Sequence, residues 1–309
     1  MEEFLAHELT IESITQKGLL ILIIYAILEM AYLYFLKKYE GMKDYKQTTI
    51  NFLFVIGMNI VVGALIGVIS TASFSLLAFK NALFTTDLTY YWWIYGFLIY
   101  ELFYCIQHWL AHKVRLIWCL HSPHHAPESM NMLVGFNHSF IEVIFYMPFF
   151  LGFMPSLIGV HPVIVLSIAV IDIIWGNLLH INEKVVPSGR YGLLEKILQT
   201  PSHHRVHHAQ NVMYLDTNYN SMTLFWDWAL GTLQPLREDE KVKYGITRNV
   251  KSDNFWDVQF GEFVLLAKDI WNAPGILNKL NYLFQPPGWS HTRKHTGLVS
   301  ELKKELKKD

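Results

Sequence analysis

From Gly18 to Leu36 the chain reads GLLILIIYAILEMAYLYFL, an apolar run with Glu29 as its single charge. At about 1.5 Å per helical residue, a run of that length crosses a hydrocarbon core of about 30 Å. Inside hydrocarbon every backbone N–H and C=O must find a partner within the protein, so such a segment is confined to a helix. Because it lacks an early basic region and a small-residue cleavage site, it is expected to be a retained anchor and not a cleaved leader.

Three further stretches extend the pattern. Residues Ile50 to Ser70 carry Gly57, Gly63 and Gly67, small residues that let helices approach closely, and the Gly63/Gly67 pair suits packing within the chain better than a dimer face. Tyr90 to Ile106 opens on Tyr90, Tyr91, Trp92, Trp93 and Tyr95, an aromatic belt suited to a water–lipid boundary. Ile141 to Leu179, interrupted by Pro148, Pro155 and Pro162, reads as a hairpin or re-entrant pair of helices. The predicted fold is therefore a single all-α unit over residues 1–309. It comprises an integral membrane helical bundle (spans 18–36, 50–70, 90–106 and the hairpin 141–179) with a helical cap from 107–139 and 180–290 and a basic tail from 291–309.

Composition agrees: 52% of residues are hydrophobic and only 17% charged. A net charge of -1 supplies no field to recruit nucleic acid. Cys105 and Cys119 are too few for a disulfide framework and form no CxxC motif. The short loop Lys37 to Lys46 holds Lys37, Lys38, Lys43 and Lys46, whereas the chain begins with Glu2 and Glu3, so the loop is expected on the cytoplasmic side. Counting spans onward places 107–139 and everything after 180 on that side as well. The closing Leu298 to Asp309, alternating Leu with Lys and Glu, suits a solvated tail or an anionic membrane surface.

Fifteen histidines stand out against this background, because a buried imidazole is costly unless hydrogen-bonded or bound to metal. Eight fall into three clusters. His108-Trp-Leu-Ala-His112 continues the third apolar run, and its i, i+4 spacing aims both rings to one face. His121-Ser-Pro-His124-His125 is expected to form a tight turn, with Ser122 as cap and Pro123 opening a short helix. Thr200-Pro-Ser-His203-His204-Arg-Val-His207-His208 begins with a good helix start and puts His204, His207 and His208 on one face.

All three clusters fall on the expected cytoplasmic side, which points to a shared metal site. Imidazole suits iron, zinc, copper or nickel, so donor type leaves the metal open. Eight ligands exceed what one tetrahedral ion uses, whereas two metals with four to five nitrogens each use them all. His180, at the end of the last apolar run, is a ninth candidate. His138 is expected to orient a ligand or serve structurally, with metal binding as the alternative, and His203, i+4-related to His207, competes with His204 for a place in the site, although the HxxHH frame favours His204. His7, His161, His291 and His295 have no partner spacing.

The motifs HWLAH, HSPHH and HHRVHH resemble the three histidine boxes of the sterol desaturase/fatty acid hydroxylase superfamily. The stretch TPSHHRVHH, followed by Asn218-Tyr219, Trp226-Asp227 and Gly231-Thr232, is similar to the alkylglycerol monooxygenase-like branch, and the likeness covers roughly residues 90 to 240. This resemblance implies two iron ions, dioxygen activation and a lipid substrate. It implies His108, His112, His121, His124, His125, His204, His207 and His208 as iron ligands, and His180 is similar to a further family histidine. Asn218, Tyr219 and Asp227 match motif positions without an assigned role. The branch uses tetrahydrobiopterin as reductant, so the resemblance implies either tetrahydrobiopterin or an external electron-transfer protein as donor. Pro123 within the second box and Asn182 beside His180 depart from the family pattern.

A lipid C–H bond is inert to protein acid–base groups, so its oxidation calls for a redox metal, dioxygen and electrons from outside. The chain has no haem-attachment motif, P-loop or nucleotide fingerprint. Glu101, Glu128, Glu142 and Glu183 are the carboxylates available to orient imidazole N–H groups. The expected activity is hydroxylation, with desaturation at the same site as the nearest rival. Haem binding would need histidines within the spans, and metal transport would need more polar residues along them than Glu29 and Asp172.

Overall fold

The computed structural model describes residues 2–35, 66–251, 254–292 and 298–306. Among these residues the chain is all-α, as expected, and strand-like pairing is limited to the isolated bridges Leu198–Thr223 and Ala209–Tyr244. The Lys37 to Lys46 loop and most of the predicted 50–70 span lie outside the described residues.

Helix α1 (Glu2–Phe35) carries the first apolar run, and α2 (Val68–Phe79) follows the second. Helix α3 (Tyr90–Lys113) continues the third run unbroken through His108 and His112. Then come α4 (Arg115–His125), α5 (Glu142–Leu157) and α6 (Pro162–Leu179). Among the described residues, α6 is the one helix long and apolar enough to cross a membrane, while Leu20–Phe35, Val68–Phe79 and Glu142–Leu157 are shorter apolar helices.

The predicted hairpin is present, but its break differs from the proline pattern. Pro148 and Pro155 do not interrupt α5, because π-helical turns at Glu142–Tyr146 and Phe149–Phe153 re-register the ladder around them. The reversal comes at Gly159, whose φ of +93° is open to glycine and whose missing side chain leaves room for the Phe84 carbonyl. His161 then caps α6 by accepting from Val163 N–H at 3.2 Å, which gives this clusterless histidine a structural role.

Helices α3, α5 and α6 enclose a core of Tyr100, Leu151, Val160, Ile164 and Ile168. The α3–α6 approach depends on Gly96, where a Cβ would fall 2.6 Å from Ile164 Cγ2. A Cβ at Gly67 would fall 3.1 Å from Val143 Cγ1 of the same chain, in keeping with packing within the chain for that part of the GxxxG pair. Glu29 does not sit idle in α1: its carboxylate accepts from Met132 N–H at 2.8 Å and Asn182 N–H at 2.7 Å. It thereby staples the segments that follow the second histidine box and His180 onto the first apolar helix.

The second box is a correction. Instead of a tight turn opening at Pro123, residues Arg115–His125 form one helix, with Pro123 in its last turn. The proline ring restricts the residue before it and removes one N–H, yet the helix ends two residues later, and the Pro123 carbonyl is taken up by Asn137 Nδ2–H at 2.8 Å. Thr200 and Pro201 start a helix as expected, giving α7 (Pro201–His207).

Beyond it lie α8 (Phe225–Leu230), α9 (Phe255–Asn272), α10 (Gly275–Phe284) and α11 (Val299–Leu306). Helices α9 and α10 pack on α4, while the α8 indole of Trp226 donates to the Leu98 carbonyl at 3.1 Å, midway along the third apolar run. The region after residue 180 thus reaches alongside the apolar helices and does not stand wholly apart from them.

Candidate metal centre

The nine histidines singled out from sequence converge. His108, His112, His121, His125 and His207 place ring nitrogens within 4.8 Å of one another, and His124, His180, His204 and His208 form a second such group. Helical geometry explains the division. Each i, i+4 pair (His108/His112, His121/His125 and His204/His208) stays together, whereas the residue at i+3, His124 or His207, turns to the other group. The groups abut, with the His125 and His208 rings stacked at 4.3 Å.

The rings are held by their Nδ1 edges. His108 Nδ1–H donates to the Tyr219 carbonyl at 2.8 Å, His207 to Thr217 at 2.8 Å, His124 to Val134 at 3.1 Å and His180 to Gly176 at 2.7 Å. His121 donates to Glu142 Oε1 at 2.7 Å. These bonds fix the tautomer that leaves Nε2 as a lone-pair donor facing inward. The inward nitrogens crowd together: His180 and His204 approach to 2.8 Å, His108 and His121 to 3.1 Å, and His124 and His180 to 3.3 Å. His112 Nε2 and His207 Nε2 are buried and have no hydrogen-bond partner.

Burial, and then the neighbouring imidazoles, hold His108, His112, His124, His125, His204 and His208 well below the usual histidine value of 6.5. Burial likewise brings His180 and His207 down to about 3. The rings are therefore neutral at pH 7, as metal ligands must be. Orphaned donors, shared focal points and neutral imidazoles fit a pair of first-row metal ions.

Other candidates separate cleanly. His138 stacks on His124 at 4.1 Å and donates to Glu142 Oε2 at 3.1 Å, so Glu142 bridges two rings from beneath. Of the carboxylates expected to orient imidazoles, Glu142 bonds a site histidine, His121. Glu101 instead accepts from Asn220, Met222 and Thr223, and Glu183 from the Tyr244 hydroxyl. His203 turns away to Thr200 Oγ1 at 3.1 Å, and His291 meets the Tyr282 hydroxyl at 2.9 Å. His295 lies outside the described residues. Cys105 and Cys119 are free and buried.

The NY and WD motif positions build the loop that orients His108. Asp227 accepts from Tyr219 N–H at 2.7 Å, Asn220 N–H at 2.8 Å, Gln199 at 3.0 Å and Thr232 at 2.6 Å. Asn218, at φ +55°, bonds the His203 and Gln234 carbonyls, and Tyr219 packs edge-on against His108 and His112. The backbone carbonyls that hold the rings carry no sequence signal. The Asp216 and Asn218 pair does, since these residue types tolerate positive φ.

Two cavities flank the centre. One, of about 210 Å³, runs between α1, α2, α3, α5 and α6 and ends on His108, His121, His124, His180 and His204. Its walls are chiefly apolar, with Leu22, Val68, Val143, Met147 and Leu166 among them. The other, of about 470 Å³, reaches His112, His125 and His207 and mixes charged residues such as Lys113, Arg115, Arg248 and Glu262 with apolar ones such as Trp118, Ile246 and Leu265.

Residues 93–232, which hold all nine histidines, match the fatty acid hydroxylase family model. This chain belongs to the fatty acid hydroxylase family. Within that family the chain is similar to the alkylglycerol monooxygenase of Xenopus tropicalis, at 35% identity over 70% of this chain and 46% of that protein. Similarity to the Homo sapiens alkylglycerol monooxygenase is 34% over 68% of this chain and 45% of the other. An ornithine lipid hydroxylase of Rhizobium tropici is 30% identical over 51% of this chain and 46% of its own length. The chain thus spans about half the length of the curated relatives it matches. No solved structure matches it.

Proposed function

We propose that this fatty acid hydroxylase family member is a membrane-embedded di-iron oxygenase that hydroxylates a lipid C–H bond, an alkylglycerol being the first substrate to test. The observation that carries the reading is the pair of all-histidine groups, each within 4.8 Å, beside an apolar cavity that His108, His121, His124, His180 and His204 help to line. His108, His112, His121, His125 and His207 would hold one iron, and His124, His180, His204 and His208 the other. Bound iron supplies the dioxygen and one-electron chemistry that no side chain here possesses.

The protein's part is positioning. Carbonyls at Thr217, Tyr219, Val134 and Gly176 lock the rings, and Glu142 steadies His121 and His138. Neutral donors leave positive charge on the metals, which a carboxylate-rich set would cancel. The apolar cavity aligns an alkyl chain with one carbon near the histidines and excludes water. Electrons would enter from the second cavity beside His112, His125 and His207, from tetrahydrobiopterin or an electron-transfer protein. The chain is read as one multi-pass unit with this site on the cytoplasmic face.

The test is metal analysis of anaerobically purified protein, followed by incubation of the reduced protein with dioxygen and an alkylglycerol and mass spectrometry of the product. Two irons per chain and a product one oxygen heavier are expected. An unsaturated product would reassign the reaction to desaturation, and a protein without iron would remove the basis of the proposal.

A further inference from the structure

Part of the region beyond residue 180 is strongly apolar on its outside. Leu193 is 80% exposed, Trp228 70% and Ile197 64%, and Leu194, Phe225 and Leu230 are exposed with them. These side chains come from two short segments, the 3₁₀ turn Gly192–Lys196 continued by Ile197, and helix α8. Backbone bonds join the two: Gln199 N–H donates to the Met222 carbonyl and Leu224 N–H to the Ile197 carbonyl, each at 2.9 Å. A contiguous apolar surface of this kind marks a contact with another protein or with lipid.

Three bonds fix where the patch lies. The Trp226 indole donates to the Leu98 carbonyl at 3.1 Å, Thr223 N–H donates to Glu101 at 2.9 Å, and Ser221 O–H donates to Asp172. Leu98 and Glu101 precede His108 by ten and seven residues, and Asp172 precedes His180 by eight. At about 1.5 Å per residue, the loop from Ser221 to Trp226 therefore sits about 10–15 Å back along α3 and α6 from the rings, level with the apolar runs and not beyond them. Ile94, one turn before Leu98 on the same face of α3, is 61% exposed, so the patch continues an outward-facing part of that run.

Hydrocarbon accepts an irregular segment only where its polar groups are paired from within. Ile197 N–H and Leu198 N–H donate to the Leu194 carbonyl at 3.0 and 2.8 Å, and Trp228 N–H donates to the Leu224 carbonyl at 2.9 Å. The acids face inward: Asp227 is fully buried, and Glu195 accepts from Ser202 O–H at 2.9 Å. Lys196 is the exposed charge, and its four-carbon stem can carry the ammonium toward the headgroups.

We propose that residues 192–198 and helix α8 form a wedge immersed in the acyl region of one leaflet, so that the cap is partly sunk in the bilayer. This inference rests on the membrane-embedded reading and places in lipid a part of the chain that span counting assigns to water. The wedge meets the metal centre at two points. Ile197 leads in three residues to Thr200, where α7 starts, and Asp227 of α8 accepts from Tyr219 N–H, whose carbonyl holds His108. Contact with the leaflet therefore seats the third histidine box and His108 together.

The experiment puts the fluorophore NBD on a single introduced cysteine, Leu193→Cys, Trp228→Cys, Ile94→Cys or Asp239→Cys, in the iron-loaded full chain at one chain per phosphatidylcholine nanodisc. The buried Cys105 and Cys119 stay unlabelled. Quenching by lipids brominated on the acyl chain reports hydrocarbon, and quenching by aqueous iodide reports water. Labels at 193 and 228 are expected to behave like the label at 94, with strong bromolipid quenching and iodide quenching at least about fivefold below that at 239, because a hydrated anion is excluded from hydrocarbon. Iodide access at 193 and 228 equal to that at 239, with 94 in lipid, overturns the wedge and leaves the membrane reading standing. Protection that appears only in discs holding two chains assigns the patch to a second copy and also overturns it. Iodide access at 94 as well removes the membrane reading and the wedge with it. If one wedge variant fails to fold, the other decides.

Discussion

Glu142 Oε1 lies 2.7 Å from His121 Nδ1 while its other oxygen takes the His138 N–H at 3.1 Å, so one fully buried carboxylate orients two imidazoles. Replacing it by alanine leaves the buried His121 N–H and the half-buried His138 N–H unpaired and frees His121 to rotate. Glu142→Ala should lower iron affinity about 10- to 100-fold. Glu142→Gln, which keeps one acceptor, should lose less. Iron-to-protein ratios across a chelator series measure both, and an unchanged ratio in Glu142→Ala would refute the role.

The nine ligand candidates were legible because i, i+4 spacing survives in any helix, and three boxes with that spacing leave few ways to arrange themselves. What stayed hidden was the sorting of rings between the two groups, since the i+3 members His124 and His207 swap sides only once α4 and α7 face each other. The turn expected at Ser122–Pro123 failed because a proline in a final helical turn removes little, and local propensity gave way to packing. Glu142 was visible only as one of four carboxylates, for the choice among them is made by tertiary contact. Glu29 looked like an isolated charge in an apolar run because its partners are backbone N–H groups that no residue letter reveals.

His203 and His204 are adjacent, the HxxHH frame favours His204, and the two rings face opposite ways. His204→Ala removes a nitrogen 2.8 Å from His180 Nε2 and should abolish oxygenation with loss of iron from the four-histidine group. His203→Ala breaks only the Thr200 contact and should retain iron, with a stability loss of about 1 kcal/mol. Metal analysis with thermal unfolding separates the two. Iron loss in His203→Ala would mean that the ring assignments are reversed.

Acid should destabilise the metal-free protein. Burial holds His108, His112, His124, His125, His180, His204, His207 and His208 below 6.5 in the folded state, whereas the unfolded chain titrates near that value. As pH falls below about 6.5 the unfolded chain therefore binds protons first, and stability present above that pH is lost progressively, down to about pH 3 for His180 and His207. Thermal midpoints of the metal-free protein should be level above pH 7 and decline steadily below 6.5. A flat profile from pH 7 to 4 would contradict the buried, neutral state of the rings. Iron should also shift the decline to lower pH, because it binds only the folded, deprotonated rings.

Glu29→Ala tests whether the first apolar helix belongs to the site or merely anchors it. The carboxylate receives Met132 N–H and Asn182 N–H, and removing it leaves two buried donors unsatisfied at about 1–3 kcal/mol each. Both donors belong to segments that carry ring-holding groups: Val134 supports His124, and His180 precedes Asn182 by two residues. The loss should therefore appear first as weakened iron retention in the four-histidine group and as faster proteolysis at 126–131 and 181–187. Glu29→Gln keeps one oxygen acceptor and should fall between parent and alanine variant. If Glu29→Ala lowers the unfolding midpoint but leaves iron retention untouched, α1 is a structural support without influence on the centre. If both fall together and glutamine restores them in part, the staple carries the geometry of the first helix to His124 and His180.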